Sequence, residues 1–110
     1  MAKYLFIESR DPFEVADTGH VCELVQQLAQ EGDEVTVYFV QNGVMAARAE
    51  ARSESILKLV KSGKVKTLVD DYSLKERGIE EHELHGEMRV SNMESLVDLL
   101  MTDQMRSVCC

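Results

Sequence analysis

Three short apolar segments of this chain each run directly into a cluster of polar residues. The apolar segments are 4–7, 35–40 and 67–69, and the polar clusters that follow them are 8–11, 41–43 and 70–73. Unbroken apolar runs bounded by turn residues are typical of strands buried on both faces, as in a parallel sheet covered by helices. Ligands of such sheets bind beyond the carboxyl ends of the strands. The sequence therefore predicts an α/β fold with a polar site at one edge of the sheet.

The composition indicates one acidic domain. The chain has 110 residues, a net charge of −8 and a single proline, and no linker divides it, so we predict one domain over residues 1–110. The acidic balance argues against nucleic acid and against an anionic membrane surface as partners, because both attract concentrated basic patches. No apolar stretch approaches the length of a membrane-spanning helix, and no signal peptide is evident, which predicts a cytoplasmic protein.

Apolar periodicity predicts the element order βαβααβαβαβ, a three-layer α/β sandwich with a mostly parallel sheet of about five strands. The predicted strands are 3–8, 34–40, 66–69, 81–90 and 105–110, with 81–90 exposed on one side. The predicted helices are 15–30, 44–52, 54–62, a short helix ending at 77, and 92–101. Helical spacing assigns the following residues to the core: Val21, Leu24, Val25, Leu28, Ile56, Leu59, Val60, Leu96, Val97, Leu99 and Leu100.

Polar residues that follow the apolar segments form the candidate ligand-binding set. Because parallel strands end at a common edge, we expect these side chains to converge there. Carboxylates that meet can share a proton or hold a metal ion, but Asp and Asn are also common in loops and at helix caps. The candidate ligand-binding residues are Asp11, Gln41, Asn42, Asp70 and Asp71, and Asp17 is a further carboxylate of this group.

The three cysteines are unevenly placed. Cys109 and Cys110 are the last two residues, where accessible thiols could carry persulfide, disulfide or metal chemistry. A parallel final strand would bring both sulfurs to the edge where the polar clusters lie, whereas the alternative is a packed strand end without function. Cys22 falls within the first predicted helix, and we expect it to fill the core.

The histidines do not form a recognisable metal motif. His82 and His85 would share a face on a helix, but on the predicted strand they point to opposite faces. The chain also lacks a phosphate-binding glycine loop. We therefore predict no metal and no resident cofactor.

Three loop motifs carry a resemblance to a known family. The segments 6–14, 40–44 and 73–79 read FIESRDPFE, VQNGV and SLKERGI. They are similar to segments of the DsrE/DsrF-like family of sulfur-relay proteins, and the similarity covers nearly the whole chain. The resemblance implies a small α/β domain that forms homo- or hetero-oligomers, commonly trimers or hexamers. It also implies that catalytic members carry persulfide sulfur on a loop cysteine before the Arg-Gly-Ile segment and pass it on in sulfur oxidation or tRNA thiolation.

This chain departs from the family pattern at the sulfur-carrying position. Counted back without gaps from Arg77, that position is Asp70, and a carboxylate cannot form a persulfide. The sequence therefore favours a binding or assembly subunit of a sulfur-relay oligomer. The alternative is a sulfurtransferase whose chemistry has moved to Cys109 or Cys110. A small hydrolase or metal-dependent enzyme built on the carboxylates ranks last, because nothing supplies a nucleophile or a general base.

Overall fold

The computed structural model shows five parallel strands in one sheet, with helices on both faces. It describes residues 2–9, 18–51 and 54–109, so the predictions that concern Asp11, Asp17 and Cys110 lie outside the described residues. The strands are β1 (Lys3–Glu8), β2 (Glu34–Phe39), β3 (Val65–Asp70), β4 (Arg89–Ser91) and β5 (Met105–Cys109). They are hydrogen-bonded in the order β4-β3-β2-β1-β5, and every pairing is parallel. The predicted fold class is confirmed.

The α-helices are α1 (Thr18–Gln30), α2 (Glu54–Lys61), α3 (Asp71–Glu76) and α4 (Met93–Leu100). The predicted helix 44–52 is wrong, because this region forms two 3₁₀ segments, Gln41–Ala47 and Ala49–Ala51. Arg48, between the two segments, forms an antiparallel bridge with Leu84. This pairing requires an extended backbone at Arg48, which interrupts any continuous helix.

The strand predicted at 81–90 is also largely wrong. The region begins with a 3₁₀ turn at Glu81–Glu83, and only its last residues join the sheet, in β4. A capping box between Glu80 and Glu83 satisfies backbone N–H groups at the turn. The alternation of apolar and charged residues in 81–90 belongs instead to a loop, in which the apolar residues Leu84 and Met88 are buried.

The two faces of the sheet are covered unequally. On the first, the closed face, α1, α2 and α3 pack against alternate strand residues such as Phe39 and Val69. On the second, the open face, Leu96 of α4 packs over Leu5, Tyr38 and Leu68. Strand side chains alternate between faces, so β1, β2 and β3 each contribute to both cores. Among the described residues, no helix is long and apolar enough to span a membrane.

The inward faces of two helices differ from the prediction. Cys22 is buried as predicted, together with Val25 and Ala29, but Leu24 is 47% exposed. In α4, Leu96 is buried while Val97 and Leu100 are exposed by 49% and 42%. The apolar stripe of each helix is wider than the surface that neighbouring elements cover. Helical periodicity identified the apolar side of each helix, and the packing selected a narrower part of it.

Candidate functional site

The crossover connections diverge between β3 and β4. After β3 the chain enters α3 on the closed face, and after β4 it enters α4 on the open face. The chain therefore continues from the carboxyl ends of these two adjacent strands toward opposite faces of the sheet. Such a divergence creates a topological switch point, which is where open parallel sheets bind ligands. Asp70, the last residue of β3, is in register with Ser91 of β4 at this point. The candidate site is built here and on the neighbouring loop after β2.

Asp70 is buried at the start of α3, with 3% of its surface exposed. Its Oδ2 accepts hydrogen bonds from the Ser73 backbone N–H at 3.0 Å and from the Ser73 hydroxyl at 2.7 Å. Its Oδ1 is also buried, but within the described part of the chain it has no hydrogen-bond partner. A buried polar atom without a partner costs about 1–3 kcal/mol. Asp70 thus combines a structural role as a helix cap with one acceptor that a ligand donor could satisfy.

Ser73 and Arg77 connect α3 to the loop after β2. The Gln41 backbone N–H donates to the Ser73 hydroxyl oxygen at 2.9 Å. The Arg77 guanidinium donates to the Asn42 side-chain oxygen at 3.0 Å and to the Ser73 carbonyl oxygen at 3.2 Å. The structure therefore brings Gln41, Asn42 and Asp70 together, and Ser73 and Arg77 are linking residues that the sequence analysis did not single out. The signal for Ser73 was its position three residues after a potential helix cap.

Gln41 has an unusual backbone conformation, with φ of 50°. Residues other than glycine seldom adopt this left-handed backbone conformation, and such backbone strain is often found at functional sites. Next along the chain, Gly43 passes so close to β1 that an added Cβ would overlap the Glu8 carbonyl oxygen. The same carbonyl accepts the Val40 N–H at 3.0 Å. The end of β1 and the loop after β2 are thereby fixed against each other.

Two further buried polar side chains lie at this end of the sheet. Glu8, the last residue of β1, is 4% exposed, and its alternation with Phe6 placed it on an inward face. Tyr38 is fully buried on the open face, and its hydroxyl donates to the Asn92 carbonyl at 2.9 Å. In the sequence, Tyr38 is evident only as part of an apolar run. A buried tyrosine nevertheless needs a partner for its hydroxyl, and that requirement was the available signal.

Burial raises the pKa of Tyr38 above its ordinary value of 10.0. A hydrogen bond to Ser91 acts in the opposite direction, and the negative charges of Asp70 and Asp71 raise the pKa further. Tyr38 is therefore a neutral hydrogen-bond donor near neutral pH. It links β2 to the start of α4, next to the carboxylates of the candidate site.

Cys109 lies at the same carboxyl edge but on a different part of the sheet. Its strand, β5, is the predicted final strand, and Cys109 is exposed and in register with Ile7 of β1. Three strand spacings, about 14 Å, separate β5 from β3, so Cys109 and Asp70 do not form one contact site. Pairing with β1 holds this thiol in the sheet, so it could swing as a free arm only if β5 first separated from β1.

The two histidines occupy different environments. His82 lies exposed on the 3₁₀ turn, whereas His85, in the loop that follows, is only 8% exposed and its Nε2 has no hydrogen-bond partner among the described residues. Burial lowers the pKa of His85 below 6.5, and the charge of Glu87 opposes this effect. Within the described ranges, no three His, Cys, Asp or Glu side chains are grouped to hold a metal ion.

Comparisons with known proteins agree with this architecture. The model of the DsrE/DsrF-like family matches residues 2–104, so the chain belongs to that family and is of the sulfur-relay type in general terms. Among solved structures, the YchN protein from E. coli is 14% identical, with a TM-score of 0.80, and the match covers 98% of this chain and 100% of YchN. The protein of unknown function MTH1491 from Methanobacterium thermoautotrophicum is 16% identical, with a TM-score of 0.83 and 100% of both chains covered. At these identities the likeness shows the fold, and a search of curated protein sequences gives no match.

Proposed function

We propose, from its membership of the DsrE/DsrF-like family, that this protein is a binding or assembly subunit of a sulfur-relay oligomer and not its sulfur carrier. The observation that carries the proposal is the state of Asp70. At the position where the ungapped count expects a sulfur-carrying cysteine, this chain has a buried carboxylate that caps α3. Such a group neither attacks nor carries sulfur. We place the protein in the cytoplasm, where its cysteines would remain reduced.

The polar residues around Asp70 would serve as the binding site. Asp70 Oδ1 is an acceptor that lacks a donor among residues 2–9, 18–51 and 54–109, and the hydrogen-bonded loop of Gln41 and Asn42 holds one side of the site in place. Asp71, at the first position of α3, and Asp11, from the sequence prediction, complete the proposed set. The chemistry of this set suits a ligand or partner group that donates hydrogen bonds, such as an amine or a backbone N–H.

The proposed assembly uses a second copy of the chain. One flank of α4, here called the outer stripe, exposes Met93, Val97, Leu100 and Met101 by 58%, 49%, 42% and 80%. Contiguous exposed apolar side chains on a small protein mark contact surfaces. Light scattering after size-exclusion chromatography should show an oligomer, and Val97→Asp should reduce it to monomers. Ser95→Asp, on the opposite flank, is the matched control. A wild-type monomer would overturn the assembly proposal.

Sulfur loading provides the test of the proposed role. Wild-type protein, Cys22→Ser and the double variant Cys109→Ser/Cys110→Ser would be treated with inorganic polysulfide, and their intact masses measured before and after thiol blocking. We expect the blocked thiols to be found without added sulfur atoms in all three proteins. Retained fold, checked by circular dichroism, and reactive thiols in the untreated wild type are the controls.

The second candidate function is the relocated sulfurtransferase, and the exposure of Cys109 at the end of β5 favours it. In that reaction the cysteine thiolate attacks the outer sulfur of a donor persulfide. A new sulfur–sulfur bond forms, the donor bond breaks, and the donor departs as a thiolate. Added sulfur that persists in Cys22→Ser and disappears in the double variant would establish this function and contradict the binding-subunit proposal.

A direct test of the binding site uses the neighbouring carboxylates. Asp70→Asn removes the negative charge of the buried acceptor with little change in volume, and Asp71→Asn makes the same change at a half-buried position. Isolation of each tagged variant from its native cells should show loss of a co-purifying partner for Asp70→Asn. An unchanged set of partners, identified by mass spectrometry against the wild type, would count against a role for Asp70.

A further inference from the structure

We propose that the groove between α4 and the β3–β4 edge of the sheet binds a small organic anion with an apolar chain, of the alkylsulfonate or alkylcarboxylate kind. This groove lies on the open face, away from the Gln41–Asn42 loop, and the inference is independent of the function proposed above. The groove has a volume of about 400 Å³, within the range of small-molecule sites. Its lining residues come from β3, β4, α4 and the turn that follows α4.

Two cationic side chains, Lys66 and Arg89, line the sheet side of the groove. Arg89 is directly opposite Leu68 in the parallel register, and Lys66 precedes Leu68 by two residues, so both side chains project from the open face. Both residues are exposed, and no described residue forms an ion pair with either cation within 4.0 Å. In a chain with a net charge of −8, two neighbouring cations that form no ion pair with any described residue are an uneven distribution of charge. They provide the attraction for an anionic head group.

The helix side of the groove supplies hydroxyl groups and one carboxylate. Ser95, Asp98 and Thr102 follow one another at intervals of three and four residues, which places them on one flank of α4 and the turn after it. The Thr102 hydroxyl already donates to the Asp98 backbone carbonyl. With two cations and one carboxylate, the groove has a formal charge of +1, which matches a singly charged anion better than a dianion.

Apolar side chains form the floor of the groove. Leu68 is 8% exposed, and Leu99 of α4 is partly buried against it. An alkyl chain could cover these side chains while its charged end reaches Lys66 and Arg89. This combination of an apolar floor with a few placed charges is typical of small-molecule sites. Because the groove has an apolar floor as well as cations, an amphiphilic anion fits it better than an inorganic anion.

The first experiment is an NMR titration of isotope-labelled wild-type protein with hexanesulfonate, with hexanoate and hexylammonium as comparison probes. We expect saturable amide shifts confined to residues 66–68, 89–91 and 95–102 with the two anions. Hexylammonium, which has the same alkyl chain and the opposite charge, should give no saturable shifts. Similar shifts with all three probes would overturn the proposal, since they would reflect apolar contact alone, and so would shifts spread over both faces.

Charge variants provide the second experiment. Lys66→Gln and Arg89→Gln should each raise the Kd for hexanesulfonate roughly tenfold, the loss expected for one charge-assisted hydrogen bond. Asp98→Asn should lower the Kd, because it removes the one repulsive charge of the groove. Lys58→Gln, on α2 at the closed face, makes the same charge change elsewhere and should leave the Kd within twofold. The dispersion of the amide spectrum verifies the fold of each variant.

Two further results would overturn the proposal. If Lys58→Gln weakened binding as much as the groove variants, the attraction would come from overall charge and not from this site. If hexanesulfonate dissociated a wild-type oligomer, the groove would be an interface between copies of the chain. Persistence of the oligomer with anion bound, together with the expected order of Kd values, supports a separate anion site.

Discussion

The closed and open faces share the same five strands but differ in how completely they are covered. Three helices bury the closed face, and their inward residues, among them Val25, Ile56 and Leu59, are at most 1% exposed. On the open face, among the described residues, α4 packs over Leu5, Tyr38 and Leu68 without a second helix beside it, and the groove and the outer stripe lie on its two flanks. One face therefore stabilises the fold, while the other leaves surface available for ligands or partners. Asp70 lies at the carboxyl end of β3, where it caps α3 of the closed face and is in register with Ser91, just before α4 of the open face.

The largest expected effect compares one leucine from each face. Leu59→Ala on α2 should lower the free energy of unfolding by about 3–4 kcal/mol, because the surrounding helices prevent the cavity from collapsing. Leu96→Ala on α4 should cost about 2–3 kcal/mol, since within the described parts of the chain no second helix packs beside α4 on the open face, and α4 can therefore move inward. Urea unfolding measures both values. A larger loss of stability for Leu96→Ala would contradict this prediction, because the open face would then contribute at least as much as the closed face.

The next effect concerns the contact between β1 and the loop after β2. Gly43→Ala should lower the free energy of unfolding by about 1–3 kcal/mol, because the added methyl group overlaps the Glu8 carbonyl oxygen. Gly86→Ala is the matched control, since no atom of the described residues lies within 4 Å of its added Cβ, and we expect a change within about 0.5 kcal/mol. Equal values in urea unfolding would show that this close approach is not a constraint on the site.

A smaller difference in the free energy of unfolding is expected between the caps of α3 and α4, Asp70 and Asn92. Asp70→Ala should cost about 2 kcal/mol, because it leaves the buried Ser73 hydroxyl and N–H without their acceptor. Asn92→Ala removes the exposed cap of α4, whose side chain accepts the Ser95 N–H at 2.8 Å, and should cost about 1 kcal/mol. Thermal or urea unfolding gives both values. If Asp70→Ala proved the milder change, the unpartnered Oδ1 would outweigh the cap.

The smallest effect is a pH dependence that arises from the closed face. Because burial lowers the pKa of His85, the unfolded chain takes up a proton before the folded one as the pH falls. The stability contributed by neutral His85 is therefore complete above pH 6.5 and is lost as the pH falls below it. Urea unfolding between neutral and mildly acidic pH should show a shallower loss for His85→Gln. His82→Gln, at the exposed histidine, should behave like the wild type in this range, and a similar flattening in that variant would contradict the assignment.

Much of the fold could be predicted from the sequence because burial leaves a local pattern. The predicted strand 3–8 coincides with β1, and the predicted strand 34–40 differs from β2 by one residue. Errors occurred where a distant contact decided the local conformation. The bridge between Arg48 and Leu84 joins segments far apart in the chain, and neither segment indicates its partner. Likewise, the exposure of Leu24 and Val97 depends on how closely other elements approach.

For the candidate site, the sequence located the loops but not the roles of their residues. Polar clusters that follow buried strands identify Asp70, Gln41 and Asn42 as candidates. The hydrogen bonds through Ser73 and Arg77 became evident only once the loops after β2 and β3 were placed side by side. Lys66 and Arg89 belong to separate segments of the chain, and only the parallel pairing of β3 with β4 puts them in one groove.

The α/β class, the positions of most strands and the edge at which polar residues collect could all be read from the amino-acid sequence. These properties follow from alternation and from apolar runs, which report the environment of each residue along the chain. Tertiary packing was needed to show which face each helix covers and that two cations share a groove. It was also needed to show that one buried oxygen of Asp70 has no hydrogen-bond partner in the described part of the chain. The reason is that these properties depend on strand order and crossover direction, which bring together residues whose separation along the chain carries no signal of their contact.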